Sequence, residues 1–339
     1  MINLDLLSPE QVTRLDELVA GASRIVILGH SRPDGDALGS SLAWSEYLGA
    51  HYGKASQVIV PNSFPDFLHW LPGVERVMRH DKHPEEVERL MRDADLAFCL
   101  DFNAVERLEG LAPALAASKA PRVLIDHHLN PTVYPDLSST SEIVFRMVWQ
   151  LGGFERLSKK FAVPVYCGMM TDTGAFTYNS SRPEIFFIIG ELLTKGIDKD
   201  AIYNRVNHNY SVWAIRMRGY IMYQKLNVYA EEHASFFSLT REEMTKFHFV
   251  KGDAEGLVNE PLKIKNMKLS ISLREDTVRD NLIWVSLRSG CGFHCKEMAE
   301  RFFNGGGHAD AAGGKLTCNM DEAEQTARLA IKAYATELR

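Results

Sequence analysis

Three segments near the start of the chain are built alike. "RIVILGH" (24–30), "DLAFCLD" (95–101) and "RVLIDHH" (122–128) each run through three to five apolar positions and then stop at an acid or a histidine. Unbroken apolar runs of that length are what strands buried on both faces of a parallel sheet look like. Helix-like stretches lie between them: "DALGSSLAWSEYLGA" (36–50), "PEEVERLMRDA" (84–94) and "LAPALAASK" (111–119), with a further short strand at "SQVIVP" (56–61). This alternation predicts an open, doubly wound, mainly parallel sheet. In such sheets ligands bind beyond the carboxyl ends of the strands, so the polar strand ends fall on one edge.

The pattern turns helical over 141–153, 161–176, 183–196 and about 200–225, and then its period changes to two. "KLSISLRE" (268–275) and "NLIWVSLRS" (281–289) alternate as strands of a mixed sheet, followed by a helix over 295–303, a glycine loop "NGGGHADAAGG" (304–314) and a C-terminal helix. The expected fold class is α/β: an N-terminal domain over 1–196, a helical linker over 197–226, and a smaller α+β domain with a mixed sheet over 227–339. At 339 residues, two domains are the natural expectation.

Composition changes this picture little. With 45% hydrophobic and 24% charged residues the chain is ordinary for a soluble enzyme. "MINLDLLSPEQ" has neither the basic start nor the apolar core of a signal peptide, and no apolar run is long enough for a bilayer, so a cytoplasmic location and no membrane partner are expected. A net charge of −6 argues against a protein that coats long nucleic acid. Five cysteines, an odd number, argue against a disulfide framework. The aromatic-rich stretches "IFFIIG", "WAIRMRGYIMY" and "ASFFSL" are read as core or as the surface of a homodimer, not as base-stacking platforms.

The chemistry concentrates at the predicted sheet edge. "GHSRPDGDALGSS" (29–41) places His30, Asp34 and Asp36 in one loop between strand and helix. Asp101 ends the second strand, Asp126, His127 and His128 end the third, and Asp172 lies in "TDTGAF". Taken singly, an aspartate such as Asp34 is more often a helix cap. Crowded together, these carboxylates would repel one another unless divalent cations compensate them, and the oxygen and imidazole donors suit Mn²⁺, Mg²⁺ or Zn²⁺. "CGFHCKEM" offers Cys291, His294 and Cys295 but no fourth ligand, so a zinc site there is not expected.

"HSRPDGD", "LDFN", "IDHH" and "TDTGAF" resemble, in order, the motifs of the DHH phosphoesterase superfamily, and "GGGHADAAGG" resembles the signature loop of the DHH-associated C-terminal domain. The resemblance covers nearly the whole chain and is to the two-domain, nanoRNase type. It implies two divalent metal ions, Mn²⁺ foremost with Mg²⁺ or Co²⁺ as alternatives. His30 and Asp34 would hold one ion, Asp36, His127 and Asp172 the other, and Asp101 would bridge them. Asp126 would orient its neighbours, His128 would face the phosphate, and a water between the ions would be the nucleophile. Arg288, Ser289, Gly305, Gly306, Gly307, His308 and Asn259 would bind substrate.

The expected activity is hydrolysis of very short oligoribonucleotides, with 3′-phosphoadenosine 5′-phosphate as a second substrate. A family II inorganic pyrophosphatase shares the metal motifs but carries a different, lysine-bearing second domain. A non-catalytic nucleotide-binding or RNA-binding module would have no need of a bridging Asp101.

Overall fold

The computed structural model describes residues 2–128, 136–250 and 252–339. It divides into two compact units, Met1–Asn209 and Tyr210–Arg339. Of the stretch 197–226, helix-forming residues up to Asn207 belong to the first unit and those from Val212 onward to the second. No helix among the described residues is long and apolar enough to cross a membrane.

The first unit holds a parallel five-stranded sheet: β1 (Ile25–Leu28), β2 (Ser56–Val60), β3 (Met78–Arg79), β4 (Leu96–Leu100) and β5 (Arg122–Ile125), in the order β3-β2-β1-β4-β5. β1 and β4 are buried throughout, as their unbroken apolar runs predict. β5 reads the same way in sequence but lies at the sheet's edge, where Leu124 is 37% exposed. Strand order reverses between β1 and β4, which is where an open α/β sheet forms its crevice. Leu28 pairs with Cys99 and Leu100 with Ile125, so His30, Asp101 and Asp126 leave their strands at one level.

Around this sheet pack α1 (Pro9–Gly21), α2 (Gly35–Tyr52), α3 (Pro84–Asp93), α4 (Ala112–Ala117), α5 (Thr140–Leu151), α6 (Lys159–Asp172), α7 (Pro183–Thr194) and α8 (Lys199–Asn207). Glycines set how closely the site-bearing helices approach. A Cβ at Gly39 of α2 would stand 2.5 Å from the Pro164 carbonyl of α6, and one at Gly168 of α6 would stand 2.9 Å from Asp36 Oδ1. Without these glycines Asp36, Asp172 and the start of α5 could not share one space.

The second unit carries a mixed sheet of β6 (Asn227–Tyr229), β7 (Ala234–Leu239), β8 (Leu269–Glu275), β9 (Leu282–Ser289), β10 (Gly306–Gly307) and β11 (Ala311–Thr317), in the order β10-β11-β9-β8-β7-β6. Only the β7–β8 pair is parallel. Its helices are α9 (Val212–Tyr220), α10 (Arg241–Lys246), α11 (Lys296–Phe303) and α12 (Met320–Ala333), followed by the short Ala335–Leu338. "ASFFSL" is β7, buried at every position, so its phenylalanines serve the core. All five cysteines are free.

Close packing at Gly39 is testable against a glycine with room around it. Gly39→Ala should cost about 1–3 kcal/mol through overpacking against backbone. Gly190→Ala, in the exposed interior of α7 with nothing within 4 Å of its Cβ position, should instead stabilise by about 0.5–1 kcal/mol. Thermal melts followed by circular dichroism should move in opposite directions for the two variants.

Candidate metal centre

β1 ends one residue before Gly29, whose N–H is held by the Ile59 carbonyl, and His30 follows, 4% exposed. Its Nδ1 lies 2.8 Å from the Ser31 carbonyl. A carbonyl only accepts, so Nδ1 carries the proton and Nε2 presents its lone pair to the site. Nε2 stands 3.3 Å from Asp101 Oδ2 and 3.8 Å from Asp34 Oδ2, yet is buried without a hydrogen bond.

Asp34 is a helix cap whose second oxygen is turned toward the cluster. Its Oδ1 caps α2, accepting the Asp36 and Ala37 N–H groups at 3.0 Å each, while Oδ2 faces His30. Asp36, in the first turn, is buried, and its oxygens accept the N–H groups of Thr140 (2.7 Å) and Ser141 (2.8 Å) at the start of α5. Asp101 sits just past β4 at φ 63°, a left-handed conformation rare for a residue with a side chain, and its N–H is bound to the Ile125 carbonyl. Asp172 is the last residue of α6, beyond which Gly174, Ala175 and Phe176 all have positive φ.

His127 repeats the design of His30. Its Nδ1 points at the Leu137 carbonyl (3.3 Å), and its Nε2 faces Asp172 Oδ2 (3.3 Å), Asp101 Oδ1 (3.5 Å) and Asp36 Oδ2 (3.8 Å). Two histidines with Nδ1–H fixed on backbone carbonyls and Nε2 aimed into carboxylates are oriented as metal ligands are. His128 differs: Nδ1 donates to Asp126 Oδ1 at 2.7 Å, and Nε2 accepts from Arg107 Nη1 at 3.2 Å.

Ligand atoms lie within 4.8 Å of one another in the groups His30, Asp34, Asp101, then Asp36, His127, Asp172, and then Asp101, Asp126, His128. Asp101 belongs to two of them. The donor set fits hard divalent cations: carboxylates and imidazoles without thiolate, and a buried nitrogen, His30 Nε2, that lacks any hydrogen bond. Without a cation the cluster must be charged unevenly. Burial and the Asp101 charge push Asp36 up to about 7, and burial with the Asp36 charge pushes Asp172 well above the usual carboxylate range. Burial also opposes the charge on Asp101, but the His127 and His30 imidazoles beside it, with His128 near, outweigh it and hold that carboxyl well below the usual range. Burial works against protonated His127 too, and contact with Asp101 and Asp172 overrides it, raising His127 to about 10.

Neither Arg107 nor the polar start of α5 is expected at the site from the chain's patterning. "SSTSE" just before an apolar helix carries the signal for the second, since Ser139 and Glu142 have the spacing of a helix cap and its third residue.

In the second unit Arg288 lies on β9 opposite Ala311 and donates to the Leu287 carbonyl at 2.9 Å. Ser289 is buried; its hydroxyl accepts the Cys295 N–H (3.0 Å) and reaches Asp310 Oδ1 (3.4 Å). The Gly305 N–H is taken by the Ala299 carbonyl, and Gly306 and Gly307 pair with Gly313 and Ala312. A Cβ at Gly305 would come 1.9 Å from the Gly313 carbonyl, and Gly307 has φ +139°, so the hairpin itself requires glycine there. The His308 N–H bonds the Ala311 carbonyl, and Asn259 lies on the 3₁₀ turn Leu257–Lys263 with its N–H on the Gly256 carbonyl. His294 pairs with Asp310 at 2.8 Å, and among the described residues no metal-competent group contains Cys291 or Cys295.

Two histidines and four carboxylates gathered at a topological switch point form a cluster able to hold divalent cations, a kind of centre found in α/β hydrolases that act on phosphate. The profile of the DHH family, N-terminal domain, matches residues 24–169, and that of the DHHA1 domain matches residues 240–337. The chain belongs to the DHH family of phosphoesterases, with a DHHA1 domain following the DHH domain. Its fold is similar to that of an exopolyphosphatase-related protein from Bacteroides fragilis, at 44% identity and a TM-score of 0.92 over 98% of this chain and 99% of that one. It is 28% identical over 320 residues to the bifunctional oligoribonuclease and PAP phosphatase NrnA of Thermus thermophilus, covering 92% of this chain and 90% of the relative. The protein of that name from Bacillus subtilis is 26% identical over 325 residues, 92% and 95% of the two chains.

The uneven charging sets a pH dependence. Asp36 and His127 have raised pKa values in the folded metal-free protein, so the stability they contribute is full below their unfolded values and is lost as pH rises through about 7 and about 10. Divalent ions need the same groups deprotonated. The rise in melting temperature caused by saturating Mn²⁺ should therefore be small at pH 5.5 and grow steadily to pH 8.5. A rise of equal size at every pH would show that protons and metal do not compete for these residues.

Proposed function

We propose that this protein hydrolyses the phosphodiester bonds of very short oligoribonucleotides, and the phosphomonoester of 3′-phosphoadenosine 5′-phosphate, at a site built for two divalent cations. The observation that carries the reading is Asp101, which groups with His30 and Asp34 through one oxygen while its other oxygen lies 3.5 Å from Nε2 of His127, a member of the Asp36, His127, Asp172 group. His30, Asp34 and Asp101 would hold one ion and Asp36, His127, Asp172 and Asp101 the other. Two such ions supply a nucleophile at neutral pH and neutralise charge on the phosphate oxygens.

The protein's own groups do the rest. His128, oriented by Asp126 and bonded to Arg107, presents its ring and the adjacent guanidinium to the phosphate. Arg107 forms no ion pair with a carboxylate among the described residues, which leaves its charge for an anion. From the second unit, Arg288, His308, Asn259 and the segment Gly305, Gly306, Gly307 are assigned to the nucleotide, with Ser289 and Asp310 bracing that loop. Support for nucleotide substrates comes from the two relatives named as oligoribonuclease and PAP phosphatase, which match over nearly their full lengths. The more similar Bacteroides protein is called exopolyphosphatase-related, which makes short polyphosphate the competing substrate. Mn²⁺ is the proposed ion.

Hydrolysis with Mn²⁺ of a dinucleotide, 3′-phosphoadenosine 5′-phosphate, pyrophosphate and tripolyphosphate decides between these. The nucleotides should be preferred, and a higher kcat/KM for the phosphoanhydrides would overturn the assignment. Among RNAs, kcat/KM should be highest at about two to four nucleotides and fall by about tenfold or more beyond about ten, a loss of at least ~1.4 kcal/mol in transition-state stabilisation. That expectation follows from the net charge of −6, because each phosphate outside the site gains little on such a surface. Asp101→Asn, which keeps the shape and removes the shared charge, should lower kcat by at least about 10³, roughly 4 kcal/mol. Wild-type turnover in that variant would remove the bridging role.

A further inference from the structure

Five consecutive polar residues, Ser138, Ser139, Thr140, Ser141 and Glu142, are each 1% exposed or less. Burying so many polar groups is unfavourable unless their hydrogen bonds are made. Here most of the bonds run to one another or to the site. Ser139 Oγ accepts the Glu142 N–H at 3.0 Å. The Glu142 carboxylate accepts from the Ser138 N–H and hydroxyl (2.7 Å each), from Arg146 Nε (3.0 Å) and from Arg182 Nη2 (2.7 Å). Arg182 lies ten residues beyond Asp172, so this buried ion cluster also ties the segment after α6 to the start of α5.

Thr140 stands where the cluster meets the site. Its N–H donates to Asp36 Oδ2 at 2.7 Å and its Oγ1 donates to Asp101 Oδ1 at 3.1 Å. One residue therefore holds carboxylates from two different motifs. For Asp101 the hydroxyl decides orientation. With Oδ1 bound to Thr140, Oδ2 is the oxygen left facing His30 Nε2 at 3.3 Å, while the second lone pair of Oδ1 remains on the His127 side, 3.5 Å from Nε2. Rotation of that carboxylate about its Cβ–Cγ bond would break the hydroxyl bond.

We propose that Thr140 is a positioning residue: its hydroxyl and amide lock the Asp101 and Asp36 carboxylates in one pose, and Glu142 with Arg146 and Arg182 holds Thr140 in place. The proposal rests on the two-cation reading above. Hydrogen-bond partners behind metal ligands commonly change affinity 10–100-fold. A purely structural Thr140 would alter folding stability and leave the affinity of the folded protein untouched.

The test is calorimetric titration of Mn²⁺ into full-length wild-type, Thr140→Val, Thr140→Ser and Thr140→Ala proteins, at a temperature where circular dichroism shows each folded. Val is nearly isosteric with Thr and keeps the amide but lacks the hydroxyl, and Ser keeps both. Thr140→Val should bind Mn²⁺ at least about tenfold more weakly, and Thr140→Ser should stay within about threefold of wild type. If the Val protein does not fold, the Ser and Ala pair carries the same comparison, with Ala weak and Ser tight. Equal Mn²⁺ affinity with and without the hydroxyl, or Ser as weak as Ala, overturns the proposal. A wild-type protein that binds no Mn²⁺ would instead remove the two-cation reading, a result distinct from either.

Discussion

Everything in the first unit answers to one electrostatic problem: four carboxylates, Asp34, Asp36, Asp101 and Asp172, converge beyond the carboxyl ends of β1 and β4. Side by side, with Asp36 and Asp101 fully buried, they cannot all keep their charge without compensation. Two imidazoles turned Nε2 inward, and backbone amides lent by α5, hold the arrangement open. This repulsion explains why the metal-free cluster keeps protons on some members and strips them from others. It also makes the cluster suited to divalent charge and not to a hydrophobic ligand.

The helices are placed to sustain that crowding. Gly39 and Gly168 remove the side chains that would keep α2 and α6 apart, and the space so gained is filled by Asp36 and by the start of α5. Asp101 accepts an unfavourable backbone conformation to aim its carboxylate along the crevice, a local cost that the surrounding core, from Phe98 to Ile125, can offset. The site is therefore a property of packing as much as of ligand identity.

Much of this is legible in the amino-acid sequence. The run-then-stop pattern of "RIVILGH", "DLAFCLD" and "RVLIDHH" locates the sheet edge, because three parallel strands that end alike bring their acids and histidines to one side. Features that depend on pairing or on distance are hidden from it. The exposure of β5 follows from strand order, which apolar content does not encode, and the two-residue β3 is too short to carry a periodic signal. Arg107 reads as one arginine among many, and "SSTSE" as an ordinary helix start. Their partners, His128 for the first and Asp36 and Asp101 for the second, lie 21, 104 and 39 residues away along the chain. In the second unit the glycines of "GGGH" serve the hairpin's close backbone approach, a demand indistinguishable in sequence from anion binding.

Asp34 gives one oxygen to the first turn of α2 and the other to His30. Folding asks only for the first. Asparagine caps a helix as well as aspartate does, so a descendant with asparagine at this position would keep the turn while losing the charge. The same separation runs through the site, where the glycines and the core hold the architecture and the carboxylates burden it. A duplicate copy released from selection for catalysis could shed that charge in a single step and persist as an intact scaffold.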